Sequence, residues 1–279
     1  MSQKSWFAHL KWLYRIRACK QELSGRGVAA QPHGLDAPLV VSLTSFPPRF
    51  PQLHLTLQCL LKQSIAADET ILWIAHRDMA QLTQEILSLQ DAGLTIRACD
   101  DTRSYKKLVP ALVEDPNRYL VTADDDCYYR ADWLEGLVNS SKDSPKAVVS
   151  HRAHRMVLKA DGSCAPYERW TKNIDQLAEG PEVFATGVGG VLYPPHALDA
   201  RATDSELFQK ICPNADDVWF YWMARLNDRY VRHVGPKTRI LEWAGTQDVS
   251  LRSINHGPEA DNGNDRAIAA MIAEFGLPK

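Results

Sequence analysis

The sequence predicts an α/β fold, a mostly parallel sheet with helices on both faces, and three observations carry that prediction. Between about residues 38 and 152, short apolar runs alternate with amphipathic stretches roughly every 25 to 30 residues, the pattern of strands joined by crossover helices. The runs are continuous, not alternating, as expected of strands covered on both faces. Small polar and acidic residues collect where the runs stop, which is where parallel sheets place their ligands.

The elements follow in order. Residues 1 to 37 hold a basic segment and a linker rich in Gly, Pro and Ala. Over residues 1 to 27, Lys4, Lys11, Arg15, Arg17, Lys20 and Arg26 stand against the single acid Glu22. Trp6, Leu10 and Leu13, and one step round Phe7, Leu10 and Tyr14, follow helical spacing. This predicts an amphipathic helix, with its aromatic stripe either packed on the domain or laid on an anionic membrane surface. Strands are expected at "LVVSLTS" (39 to 45), "TILWIAH" (70 to 76), "LTIRACD" (94 to 100), "RYLVTAD" (118 to 124) and "KAVVSHR" (146 to 152), with helices over about 51 to 64, 78 to 90, 105 to 114 and 131 to 141. From about residue 155 the alternation fades into "KADGSCAPYERWTKN", a glycine-rich "TGVGGVLYPPHAL" and a helical "ADDVWFYWMARLND". The second half is read as an elaboration sharing the first half's site.

Composition narrows the function. The chain of 279 residues is 45% hydrophobic and 24% charged, within the ordinary globular range. A net charge of −2 and a pI near 6.5 supply no global field for nucleic acid. The six cysteines lie far apart with no C-x-x-C pair, which suggests neither a zinc cage nor a disulfide framework and fits a reducing compartment. No run is long and apolar enough to span a bilayer and none reads as a signal peptide. A cytoplasmic protein is expected.

The chemistry concentrates at strand ends. Thr44, Ser45, Asp100, Asp101, Asp124, Asp125 and Asp126 all fall on one rim. Adjacent carboxylates push one another toward the neutral form unless a cation holds them ionised, and hard divalent cations take such oxygen ligands together with substrate phosphates. The plainer reading, an acidic N-terminus for the helix near Asp132, accounts for one aspartate better than for three. Lys106 and Lys107 open a predicted helix, where cations need an anion nearby, and with Arg49 they are candidates for phosphate contact or for a solvated face. Gly187, Gly189 and Gly190 precede "VLYPP", a strand and turn, so neither a dinucleotide fingerprint nor a P-loop applies. Asp216 and Asp217 sit at a helix start, either as helix-opening acids or as a proton acceptor beside Val218, Trp219 and Trp222.

Taken in order, "VVSLTSFPPRF", "TLQCLLKQSIAADETILWIA", "SYKKLVPAL", "RYLVTADDDCYYRADWLEGL", "TGVGGVLYPP", "ADDVWFYWMARL" and "NGNDRAIAAM" resemble the GT-A glycosyltransferases, particularly the bacterial family 2-like enzymes that build surface polysaccharides. The resemblance runs over about residues 38 to 270. It implies a GT-A domain over 38 to 279, with a nucleotide-binding half (38 to 152) and an acceptor half (153 to 279). It also implies a nucleotide-sugar donor, Mn2+ or Mg2+, and inverting transfer to a hydroxyl of a glycan or lipid-linked acceptor. By the same resemblance Asp126 is the direct metal ligand, with Asp124 nearer the ribose or a metal-bound water and Asp125 able to do either. Thr44, Ser45, Arg49, Asp101 and Lys107 then serve the donor. Gly187, Gly189, Gly190 and Trp219 serve the acceptor. Asp217 is the expected base and Asp216 its neighbour, although the family more often has Glu at the first position. A late histidine completes many such metal sites, and His256, ahead of His233, is the candidate.

Three rival readings fit the sequence less well. A metal-dependent sugar nucleotidyltransferase would carry a basic glycine-rich loop after the first strand, and "TSFPPRF" has no glycine. A non-catalytic nucleotide-sugar binder has no use for a second acidic pair. A haloacid-dehalogenase-type phosphatase needs Asp-x-Asp at the first strand end, which "VVSLTS" lacks. The expected protein is an inverting, metal-dependent glycosyltransferase, held by its first helix at the cytoplasmic face of the inner membrane.

Overall fold

The computed structural model describes residues 3–27, 30–237, 240–243 and 263–278. A long helix α1 (Gln3–Gly25) precedes a short strand β1 (Gln31–Pro32), then β2 (Leu39–Thr44), α2 (Phe50–Leu61), β3 (Ile65–Ala66), β4 (Glu69–Ala75), α3 (Gln84–Leu87), β5 (Leu94–Cys99), α4 (Val109–Glu114), β6 (Tyr119–Ala123), β7 (Cys127–Tyr128) and α5 (Trp133–Asp143). There follow β8 (Val148–Ser150), β9 (Ala153–Arg155), β10 (Ala178–Gly180), β11 (Val183–Ala185), β12 (Val191–Tyr193), α6 (Ser205–Ile211), α7 (Asp216–Leu226), β13 (Val231–His233), β14 (Leu241–Glu242) and α8 (Gly263–Phe275).

Eight strands form one mixed sheet in the order β10-β13-β8-β12-β6-β2-β4-β5. The pairs β6/β2, β2/β4, β4/β5 and β13/β8 are parallel. The strands are buried on both faces by simple alternation. Leu39, Val41 and Leu43 face one core with Leu72 and Ile74, while Val40, Ile71 and Trp73 face the other, as the two-residue period of a strand requires. Helices α2 and α5 cover the first face and α7 the second. The expected α/β architecture is thus present, with all five predicted strands in place.

The topology assembles one rim. Ser42 pairs with Thr122, and Leu43 with Ala123, so β2 and β6 stop side by side. Strand β12 is antiparallel to both neighbours, and Val191 at its start lies opposite Thr122 of β6 and Ser150 of β8. The glycine loop before β12 therefore emerges at the same end as the carboxyl termini of β6 and β8. A small antiparallel ribbon, β7 with β14, pairs Cys127 with Glu242 just beyond the three aspartates.

Two helix predictions change in form. The stretch 78 to 90 is broken: a 3-10 turn (His76–Gln81) ends where Leu82 turns extended, then come α3 and a second 3-10 turn. In 105 to 114, Pro110 lies in the first turn of α4, the helical position where a residue without an N–H fits. Lys106 and Lys107 close the preceding 3-10 turn (Arg103–Lys107) and do not open the helix.

In α1 the face that packs is Ile16, Cys19 and Leu23, with Trp12 partly buried beside them. Leu10, Leu13 and Tyr14, part of the expected stripe, are 41%, 43% and 75% exposed. Arg26, just past the helix, donates to Glu22 (2.8 Å), the Tyr128 hydroxyl (3.0 Å) and the carbonyl of Tyr129 (2.8 Å). One of the six basic residues of this segment is therefore a structural clasp on the chain that follows the aspartates. No helix among the described residues is long and apolar enough to cross a membrane.

Candidate active site

A cleft of about 1400 Å³ opens on this rim. Thr44, Ser45, Arg49, Asp101, Lys107, Asp124, Asp125, Asp126, Gly187, Asp216 and Asp217 all line it. The structure thus brings together residues from β2, the 3-10 turn before α4, β6, the glycine loop and α7, separated by up to about 170 positions in sequence.

At the end of β6 the three aspartates have different partners. The Ser45 hydroxyl donates to Asp125 Oδ2 at 2.5 Å. Arg49 Nη1 lies 2.5 Å from Asp126 Oδ2 and 3.5 Å from Asp125 Oδ1. The backbone here is tied as well: the Thr56 hydroxyl lies 3.0 Å from the carbonyls of Asp125 and Cys127, and itself accepts from the Trp243 indole at 2.9 Å. The Tyr129 hydroxyl accepts from the Asp124 amide. Asp132 sits at the N-cap position of α5 without a capping hydrogen bond, and β7 separates that helix from the aspartates. The helix-start reading of the acidic run is not what the fold uses.

Lys107 joins the two acidic groups. Its Nζ is 2.8 Å from Asp216 Oδ2 and 3.9 Å from Asp124 Oδ1. Burial alone would lower the ammonium's pKa, but Asp216, Asp124 and Asp217 outweigh it and hold it well above the ordinary lysine value. The Ser104 hydroxyl donates to the other Asp216 oxygen at 2.9 Å, so both oxygens of Asp216 are engaged. Burial, then Asp216, pushes the Asp217 carboxyl up to about 6, while Lys107 and a hydrogen bond from the Gly187 amide pull it down. Burial pushes Asp124 up to about 7 against the opposing pull of Lys107, with Asp126, Asp217 and Asp125 adding to the rise. Asp125 rises to about 6, again by burial, with Arg49 opposing.

The glycines have local reasons. A methyl group on Gly187 would fall 2.6 Å from Lys107 Nζ and 2.7 Å from Asp217 Oδ1, so the loop is bare there to let lysine and carboxylate close in. Gly190 has φ +98, and a methyl there would meet the Trp133 ring at 2.5 Å. Gly189 also has positive φ (+97), beside Arg152 and Ile240. Only Gly187 of the three lines the cleft. Trp219, expected at the acceptor, is fully buried: its indole donates to the Ala202 carbonyl and its ring packs on Phe208 and Phe275. It faces inward because α7 turns its whole apolar face to the core, with Val218 and Trp222.

On the donor side, Thr44 spends its hydroxyl on the Trp73 carbonyl (2.8 Å). Asp101 is held by Lys106 and Arg77 and accepts from the Arg103 amide. His233 is buried and bonded to the carbonyls of Gln176 and His151. His256 lies outside the described residues.

Among the described residues, no three His, Cys, Asp or Glu side chains are grouped to hold a metal ion. The donor set is nevertheless uneven. Arg49 occupies Asp126, which the family resemblance favours as ligand, whereas Asp124 Oδ2 is buried without a hydrogen-bond partner. One uncommitted carboxylate oxygen suits an ion that takes most of its ligands from water and bound phosphates; it does not make a closed cage.

Sequence reasoning missed Arg152, Tyr167 and Lys172, which line the same cleft, Arg152 and Tyr167 within electrostatic reach of Asp217. Arg152 follows β8 on the same rim and was within reach of the strand-end rule. Lys172 lies in "ERWTKN", where no local pattern marks it.

No family model matches the chain, and no curated protein matches it. Many solved structures overlap it, and three of them illustrate the level of similarity. A 4-diphosphocytidyl-2C-methyl-D-erythritol synthase is 10% identical at a TM-score of 0.35, over 49% of this chain and 72% of its own. The mannosyltransferase PcManGT from Pyrobaculum calidifontis, solved with GDP-Man and Mn2+, is 16% identical at 0.34, over 55% of this chain and 45% of its own. Glucosyl-3-phosphoglycerate synthase from Mycobacterium tuberculosis, solved with Mn2+, uridine diphosphate and glucosyl-3-phosphoglycerate, is 10% identical at 0.32, over 94% and 71%. Identities and scores this low carry no functional inference for the present chain.

Proposed function

We propose that this protein is an inverting GT-A-type glycosyltransferase that moves a sugar from a nucleotide-sugar donor to a hydroxyl of a glycan or lipid-linked acceptor. The observation that supports this reading is the Lys107 bridge: one buried ammonium lies between the acidic end of β6 and the acidic start of α7, and both groups face one cleft. A transferase of this class must neutralise a departing diphosphate at one place and take a proton from a hydroxyl at another.

Asp217 is the proposed proton acceptor. Asp216 is fully engaged by Lys107 and Ser104 and holds the lysine in place. With its carboxyl near 6, Asp217 is ionised at neutral pH and still more basic than an ordinary aspartate, which suits general base work. Arg49 and Lys107 lie where the donor's phosphates would approach the end of β6. Asp124 is the residue proposed to hold Mn2+ or Mg2+, and such an ion, when bound, would add to the neutralisation of the leaving diphosphate. Asp217→Asn should cut transfer by about 10²- to 10⁴-fold while nucleoside diphosphate binding by calorimetry stays near wild type. Wild-type transfer should rise with pH through about 6. A variant that still turns over, or that loses nucleotide binding as well, would remove the base assignment.

Peripheral attachment to an anionic membrane is proposed for α1, supported by the outward Leu10, Leu13 and Tyr14 with exposed Lys11, Arg17 and Lys20 around them. Deleting residues 1 to 26 would also strip Ile16, Cys19 and Leu23 from the core, so a surface variant is the cleaner probe. Replacing Leu10, Leu13 and Tyr14 with Ser should abolish flotation with vesicles containing anionic lipid; unchanged flotation refutes the attachment.

A further inference from the structure

On the wall of the cleft that carries Tyr167 and Arg152, both near enough to Asp217 to interact with its charge, one cation has no hydrogen-bond partner among the described residues. Lys172 lines the cleft, and its Nζ is buried with no hydrogen-bond partner. It is folded onto the face of Tyr167, 3.0 Å from the ring centroid. The backbone that presents it is fixed on both sides. Thr171 and Arg155 exchange amide and carbonyl bonds at 2.9 and 3.0 Å, and the Asn173 amide donates to His154 Nδ1 at 2.9 Å. Arg152 stands on the same wall, its Nη1 donating to the Thr186 hydroxyl at 3.0 Å, next to the glycine loop that touches Asp217.

We propose that Lys172 binds an oxyanion carried by the acceptor, a carboxylate or a phosphate, so that the acceptor is an acidic saccharide and not a neutral one. The proposal rests on the glycosyltransferase reading in one respect: the Asp217 side of the cleft is where the acceptor lies. An ammonium has three donors and no acceptor, and leaving all three unmade is costly. An aromatic face offers partial compensation, and it is the resting place a lysine takes when no anion is present. An arriving carboxylate or phosphate offers charge-assisted hydrogen bonds, the stronger kind. The flexible four-carbon stem lets the ammonium leave the ring to make them. Burial also pulls the Lys172 ammonium down to about 8, with Glu168 and Asp265 opposing and Arg152 assisting; neither acid is bonded to it, and a bound anion would relieve that strain on its charge. The donor side differs, because there Arg49 and Lys107 already sit on aspartates.

Calorimetric titration of the whole chain at pH 7 with D-glucuronate, inorganic phosphate and D-glucose tests this. Wild type should bind one of the anions at least about tenfold more tightly than glucose, the scale of one hydrogen bond to a charged group. Lys172→Met should erase that preference and Lys172→Arg should retain most of it, both with unchanged circular dichroism. The glucuronate and phosphate arms tell a carboxylate from a phosphate. A wild type with no preference for either anion overturns the proposal even if the Met variant fails to fold, and so does a folded Met variant that keeps the preference. Binding of UDP, GDP and CDP is measured alongside. If no nucleotide binds, the transferase reading fails; if one binds without any anion preference, only the Lys172 site fails.

Discussion

Along the strand-end side of the cleft, Arg49 lies against Asp125 and Asp126, and Lys107 sits between Asp124 and Asp216; on the wall built from residues 152 to 186, Lys172 rests on a tyrosine ring with no hydrogen-bond partner. The first region settles most of its charge internally. The second leaves a cation waiting. Internally matched charges fix geometry, since each holds the other's rotamer, whereas an unmatched one in a cleft is a candidate contact for a ligand of opposite charge. On the proposed reading the two regions would supply different things: a preorganised frame for leaving-group chemistry, and a selective contact for the acceptor.

The comparison breaks most severely at Lys107. Lys107→Met keeps the stem's volume but leaves Asp216 and Asp124 buried without their shared cation. Removing one partner of a buried ion pair costs about 3–5 kcal/mol, so the variant should melt well below wild type and lose transfer even where it remains folded. A Lys107→Met protein with wild-type thermal stability would mean that the strand-end side is not internally matched, and the contrast with Lys172 would disappear.

Much of this was legible in the sequence, for identifiable reasons. The parallel strands betray themselves by continuous apolar runs, and the strand-end rule then names Thr44, Ser45, Asp101 and Asp124 to Asp126 without any knowledge of packing. Asp216 and Asp217 could be picked out because two acids open a helix. What sequence does not carry is direction. Trp219 follows Asp216 and Asp217, two candidate site residues, closely in the chain, yet α7 turns it into the core. Gly190 is bare to admit the Trp133 indole and not a substrate. Lys172 and Arg26 have ordinary neighbours in sequence, and only tertiary contact makes one a waiting cation and the other a clasp. Likewise nothing in the local sequence shows that Arg49, 77 positions earlier, is ion-paired with Asp126.

The smallest effect tests how completely the strand end is matched. Asp124 is its exception, with Oδ2 unpartnered and Lys107 no closer than 3.9 Å to the other oxygen. Its carboxyl is pushed up to about 7, mainly by burial, above the ordinary aspartate value near 3.9. In the window from about pH 4 to 7 the native protein therefore binds more protons at this residue than the unfolded chain does. Stability from this group is present at the acid end of the window and is lost as pH rises through 7. The side chain is 22% exposed, and solvent screening reduces the effect to roughly 1 kcal/mol between pH 5 and 8. Wild type should lose melting temperature across that range more steeply than Asp124→Asn, which has no proton to release there. Equal slopes by calorimetry would mean that Asp124 is already compensated, and the last uncommitted oxygen at the strand end would no longer be available to a metal ion.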